Sequence, residues 1–301
     1  MYYNLRTPYP NELYHHGIKG QKWGVRRYQN PDGSLTAEGR IRYGVGTRKK
    51  HEGIEEDKIA KAAQKLMHKY EKERSSSKID KKTGLRLMTS KKTISENAER
   101  TNPGYWAFPS NTLFRENCVN CSIAFELRNR GYEVQALPSR SKNMETVYDK
   151  CFPNGLKRNI IEEDPWDKAG KKYGFDPNTG KPLVEQVMFT ESSWAMIRKD
   201  IQQMYDSIDP NSTMKKAKEA FSKEPPNSRG HIGMTWNIGS GHSMNYAITK
   251  DGSLLLIDPQ SGKTFSGDEV DKILKIARSF TFTRLDNLDI NYEACRKEIV
   301  R

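Results

Sequence analysis

The chain has 301 residues, with 51 Lys+Arg against 38 Asp+Glu for a formal net charge of +13, 35% hydrophobic content and a mean hydropathy of −0.88. That length allows one large domain or two small ones with a buried core, while the polarity excludes a chain that is core-forming throughout. No apolar run reaches the length of a transmembrane helix, the N-terminus has no apolar signal segment, and four unevenly spaced cysteines give no disulfide framework, so the sequence predicts a membrane-free protein of a reducing compartment.

The charge is uneven. Residues 1–100 hold 23 Lys+Arg against 12 Asp+Glu, which leaves the rest of the chain nearly neutral. Within residues 1–50, the stretch from Glu12 to Arg40 combines glycines, the Pro31-Asp32-Gly33 turn, basic side chains and interleaved Tyr14, Trp23 and Tyr28. It is too polar to form a core alone and reads as a segment that orders on a partner. The run His15-His-Gly-Ile-Lys-Gly-Gln-Lys-Trp-Gly-Val-Arg-Arg-Tyr-Gln-Asn30 resembles a short N-terminal module of phage and prophage proteins of Gram-positive hosts, many of them capsid-associated. That resemblance implies virion proteins as partners and a location in the virion or the host cytoplasm.

From Gly53 to Arg74 the apolar positions Ile54, Ile59, Ala62, Ala63, Leu66, Met67 and Tyr70 follow helical spacing, and Ser75-Ser76-Ser77 ends the run. Residues 78–100 read as a Lys- and Ser-rich linker, which puts 51–100 down as a basic helix and linker and starts a domain at 101. Basic residues with aromatics also fit nucleic-acid contact, a minor reading because no binding motif accompanies them.

The stretch Asn117-Cys-Val-Asn-Cys-Ser-Ile-Ala-Phe-Glu-Leu-Arg-Asn-Arg-Gly131 predicts an amphipathic helix. Asn117 is placed to cap it through its side-chain oxygen, and Gly131 to stop it in a left-handed conformation. Cys118 then occupies the first turn, where free N–H groups and the helix dipole favour a thiolate, and Cys121 falls on the apolar stripe with Ala124 and Phe125. Zinc would need a second ligand pair, and Cys151 and Cys295 stand alone, so neither metal nor cofactor is expected. Tyr132–Leu137 alternates as a strand bounded by Pro138, and Ser192–Ser207 has helical spacing with Trp194, Met196, Ile197, Ile201 and Met204 apolar.

Gly230–Trp236 and His242–Thr249 predict two strands, and Lys250-Asp251-Gly252 turns the second into Ser253–Asp258. The turn decides whether His242 and Asp258 meet. A two-residue Asp-Gly loop sends them to opposite faces. A three-residue loop with Gly252 left-handed pairs 249 with 253 and 244 with 258, which makes His242 and Asp258 diagonal neighbours on one face. The three-residue loop is expected. A carboxylate on one imidazole nitrogen leaves the other for a thiol proton, so Cys118, His242 and Asp258 form a candidate nucleophile, base and orienter. Residues around 269–277 predict a further helix, and Phe280–Arg284 a strand that extends the sheet.

Asn102-Pro103, Asn117-Cys118-x-x-Cys121, Arg130-Gly-Tyr-x-Val134, Arg229-Gly230, Gly241-His242-x-x-Asn245 and Ile257-Asp258-Pro-Gln260-x-Gly262 together resemble the papain-fold toxin domain of polymorphic toxin systems, papain fold toxin 1. The resemblance implies an α+β papain-like cysteine hydrolase fold across 101–301, the cysteine helix packed on an antiparallel sheet. It also implies a peptidase or glutamine deamidase acting on a protein substrate through a Cys-His-Asp triad, with Gln260 as a nearby polar helper. Papain's glutamine ahead of the cysteine has no counterpart in Pro109–Arg115. The oxyanion donors are then backbone N–H groups at Cys118, or Asn111 or Asn117. By analogy with papain's own C-x-x-C, Cys121 is the alternative nucleophile. The alternative function is a non-catalytic capsid-associated protein that keeps the fold.

Overall fold

The computed structural model describes residues 50–138, 148, 150–154, 156, 158–177, 180–184, 189–237 and 240–300. The His-His module within residues 1–49 and the Gly239 turn position therefore lie outside the described residues. The elements run α1 (Lys50–Ser76), α2 (Ile94–Thr101), α3 (Gly104–Ala107), a 3-10 turn (Thr112–Phe114), α4 (Cys118–Asn129), β1 (Asn159–Glu162), α5 (Pro165–Tyr173), α6 (Glu191–Ser207), α7 (Pro210–Phe221), β2 (Arg229–Asn237), β3 (Ser240–Ile248), β4 (Leu254–Asp258), β5 (Lys263–Phe265), α8 (Asp268–Leu274), β6 (Ser279–Arg284) and α9 (Tyr292–Glu298).

The strands form one antiparallel sheet in the order β1-β6-β2-β3-β4-β5. Alternation along β2 separates Ile232 and Met234 from His231, Gly233 and Thr235, and both sets are largely buried because helices cover both faces. On one face Ile232, Met234, Met244, Tyr246, Phe280 and Phe282 pack with Ala217 and Phe221 of α7 and Val270 and Leu274 of α8. On the other, α4 lies along β3: Phe125 packs with Ala247 and Ile257, and Asn245 Nδ2 donates to Ser122 O at 3.3 Å. Full burial of a side chain such as Phe125 stabilises by roughly 2–3 kcal/mol.

The β3–β4 turn has the expected three-residue form. Ile248 pairs with Leu254 and Asn245 with Ile257, Thr249 N donates to Ser253 O, and Gly252 sits at φ 85°. That register carries on to place residue 244 opposite 258. Beside it, Gly230 allows β6 to approach closely: a Cβ there would stand 2.1 Å from Thr283 O and 2.4 Å from the Tyr246 ring. β6 pairs with β2 and extends the sheet as expected.

Several elements differ from their sequence reading. The helix α4 is buried all round rather than amphipathic, its internal charges neutralised by partners. Glu126 meets Arg130 at 2.9 Å and Arg229 at 3.2 Å, and Arg128 donates to Glu133 at 2.7 Å and to Val134 O at 2.7 Å. Tyr132–Leu137 is no sheet strand. Its backbone bonds reach three separate segments, through Glu133 N to Arg86 O, Ala136 N to Thr101 O and Leu137 N to Ile299 O. The stretch 78–100 carries most of α2, opened by a capping box in which Thr93 and Glu96 satisfy each other's backbone N–H, and Leu85 and Ala98 enter the core. In α6, Met196 is exposed and Tyr205 takes the buried position. No described helix is long and apolar enough to cross a membrane.

Candidate active site

The start of α4 places Cys118 against the beginning of β3. Both Cys118 and His242 are buried, with exposures of 1% and 6%. His242 Nε2 bonds to Asp258 Oδ1 at 3.1 Å, across the diagonal set by the three-residue turn. The Cys118 thiol is a further hydrogen-bond partner of the ring, for which Nδ1 is the nitrogen left. Burial alone would lower the His242 pKa, but the Asp258 carboxylate, by charge and hydrogen bond, and Cys118 beside it push it up to about 10. The imidazole is therefore held as a cation at neutral pH, next to a thiol at the positive end of a helix.

Asp258 is fixed in turn. It accepts from Ser261 Oγ at 2.6 Å, Gln260 N at 3.1 Å and Ser261 N at 3.4 Å. The Asp-Pro-Gln-Ser turn thus supplies its own donors to the carboxylate that orients the histidine.

Asn117 holds the N-cap position, yet its side chain makes no capping bond. Its Oδ1 accepts from Gln260 Nε2 at 3.3 Å and Asn102 Nδ2 at 3.2 Å, while its Nδ2 donates to Leu137 O at 3.0 Å. The expected cap is replaced because these buried amide donors and acceptors need partners more than a helix terminus does. Asn102, quoted in the sequence motif without a role, ties the parts together: its Nδ2 also reaches Phe114 O at 2.8 Å and Gln260 O at 2.9 Å. Gln260 is thus brought beside the cysteine turn. Asn111 is not. Its side chain is exposed and accepts from Leu113 N at 3.1 Å, capping the 3-10 turn instead.

Cys121 is fully buried one turn into the helix. Burial pushes its thiol well above the ordinary range, and Cys118 and Asp258 add to the rise. The groups that raise His242 are Asp258 and Cys118. Among the described residues no cluster of His, Cys, Asp and Glu is arranged to hold a metal ion.

Sequence reasoning missed a polar layer beneath this cluster. Ser243, next to His242, meets His231 Nε2 at 2.6 Å, Ser122 Oγ at 3.2 Å and Tyr148 OH at 3.3 Å, and Ser122 Oγ also donates to Met244 O at 3.2 Å. Since Ser122 belongs to α4, these bonds fasten the cysteine helix to the histidine strand. Burial, with the charges of Arg158 and His242, drives the His231 pKa down to about 3, so this second histidine is neutral. The available signal was alternation, which puts His231 on the sheet face that also carries Ser243.

A buried thiol that passes its proton to an imidazole oriented by a carboxylate can attack an activated carbonyl carbon, and the resulting imidazolium can protonate a leaving amine. Residues 116–263, which contain Cys118, His242 and Asp258, match the family described as papain fold toxin 1, glutamine deamidase. Residues 6–30 match a family of unknown function. No curated protein sequence matches the chain.

Proposed function

We propose that this chain, whose residues 116–263 are a papain-fold toxin domain of the hydrolase and deamidase class, is a glutamine deamidase acting on a target protein, with Cys118 as nucleophile, His242 as acid and base, and Asp258 as orienter. The observation that carries this reading is the bond pair on one imidazole, Asp258 on Nε2 and Cys118 on the other side, at a helix start inside the matched segment. The Cys118 sulfur, as the thiolate whose proton His242 has taken, attacks the side-chain carboxamide carbon, forming a C–S bond as the C–N bond breaks. The His242 imidazolium gives its proton to the departing ammonia. Water, deprotonated by the now neutral ring, then hydrolyses the thioester to leave glutamate and a free thiol.

First-turn N–H groups at Cys118 are the candidate donors to the oxyanion, with Gln260 Nε2 beside them through Asn117. Burial of Cys121 and the upward shift of its thiol favour a packing role for it. Residues 1–50 would carry the domain on a virion partner, as their motif suggests.

The test compares a proteome incubated with wild-type protein and with Cys118→Ala by mass spectrometry. Glutamine-to-glutamate conversion at defined sites, lost in the variant, supports the reading. New peptide termini instead of conversion make the domain a peptidase. Neither change, with both proteins folded, leaves the non-catalytic capsid-associated reading in its place.

A further inference from the structure

The face of the sheet that carries α4 also bears a cleft of about 360 Å³ over β1, β6 and β2, walled by α5. The backbone of its floor adjoins the strand that carries His242. Gly233 and Thr235 line it and pair with Ser243 and Gly241, the two neighbours of His242, on an adjacent strand ~5 Å away.

The lining holds three polar side chains, from separate stretches of chain, with bonding capacity left over among the described residues. Asp167, half-buried in the first turn of α5, accepts no hydrogen bond from a described residue, and Arg158, just before β1, donates none. His231 is 7% exposed and spends Nε2 on Ser243, which leaves Nδ1 without a described partner. Other charges in the lining are accounted for. Glu163 pairs with Lys171 at 2.5 Å. Asp164 is filled by Trp166 N at 2.8 Å, Tyr205 OH at 2.6 Å, Thr235 Oγ1 at 2.5 Å and Ser279 Oγ at 3.1 Å, all neutral donors. Arg158 offsets one of the two remaining carboxyl groups, which leaves Asp167 as the carboxyl of the cleft open to a bound cation.

We propose that this cleft is a specificity subsite that receives a cationic side chain, lysine or arginine, lying next to the reacting glutamine of the target protein, with Asp167 as its counter-ion. The proposal rests on the deamidase reading for what the neighbouring residue is, and on the cleft alone for the charge it prefers. A cavity with apolar walls and a few converging polar groups binds by burying the aliphatic stem of such a side chain and satisfying its head. Burial, together with Asp164 and Glu163, holds the Asp167 carboxyl up at about 7 against the opposing charges of Lys171 and Arg158.

The test titrates full-length Cys118→Ala protein with acetyl-Arg-Gln-Arg-amide, its norleucine counterpart and acetyl-Glu-Gln-Glu-amide by calorimetry. The arginine peptide is expected to bind about tenfold more tightly than the norleucine one, the increment of one charge-assisted hydrogen bond. Asp167→Asn in the same background removes that preference and Asp167→Glu retains it. Equal affinities, tightest binding of the glutamate peptide, or a preference that survives Asp167→Asn would each overturn the assignment. Should Asp167→Asn not fold, the three peptides on Cys118→Ala alone decide it. Ammonia release by the wild-type protein is measured separately: an arginine preference without ammonia release removes the deamidase reading and leaves a cation site, whereas release without preference removes only the subsite.

Discussion

Replacing Asp258 with asparagine isolates what the carboxylate does to His242. The imidazole rises from an ordinary 6.5 to about 10, a difference that corresponds to about 5 kcal/mol between its two protonation states. The sources are the charge and hydrogen bond of Asp258, then Cys118, all working against burial. In Cys118→Ala the thiol no longer exchanges a proton with the ring, and Asp258 alone sustains the shift. Adding Asp258→Asn leaves burial unopposed, so the ring is expected to titrate below 6.5. Histidine nitrogen chemical shifts against pH read this directly.

The sign for stability follows from the raised pKa. In Cys118→Ala the native state binds the extra proton, so His242 contributes its full stabilisation below pH 6.5 and loses it as pH climbs through the value that Asp258 alone sustains, by up to about 1.4 kcal/mol per pH unit. Urea unfolding of Cys118→Ala at pH 6.5 and pH 9 should differ by more, up to about 3 kcal/mol, than the same pair of measurements on Cys118→Ala/Asp258→Asn. A ring that titrates near 6.5 in both proteins, or equal pH dependence of their unfolding, would refute the electrostatic argument.

Gly230→Ala drives a methyl into Thr283 O and the Tyr246 ring, and is expected to lower stability by about 3 kcal/mol or prevent folding, read as the urea midpoint. Cys121→Ser puts a hydroxyl into a fully buried site and is expected to cost about 1–3 kcal/mol of stability while the folded fraction stays active. Cys118→Ser, by contrast, should keep its fold and lose about 10⁴-fold in ammonia release. Asn102→Ala strips Phe114 O, Asn117 and Gln260 O of one shared donor and is expected to destabilise by about 1–3 kcal/mol in thermal or urea melts.

What the sequence made legible was local. The His242–Asp258 meeting follows from alternation plus a three-residue loop at Lys250-Asp-Gly, both fixed within seventeen residues of chain, and Gly131 at φ 98° stops α4 where its lack of a Cβ permits. Asp164-Pro165 and Asp209-Pro210 are also local signals. Each sets an Asp cap before a proline at the first helical position, and both mark helices the sequence reading passed over. The Asn117 side chain was not readable in this way, because its partners Asn102 and Gln260 come from 15 and 143 residues away. Tyr132–Leu137 has strand composition but finds its backbone partners on Arg86, Thr101 and Ile299, which no periodicity reveals. The same holds for α4, whose Glu126 and Arg128 read as a solvent face until Arg229 and Glu133 are brought to them.

The rate of iodoacetamide alkylation at each cysteine against pH, mapped by peptide, in wild-type protein and His242→Ala, bears most directly on Cys118 as an activated nucleophile. The account predicts fast labelling of Cys118 alone, lost in His242→Ala, while Cys121, Cys151 and Cys295, buried like Cys118 but not placed at the His242 ring, stay slow. Labelling of Cys118 no faster than that of an ordinary thiol, or unchanged without His242, would contradict it.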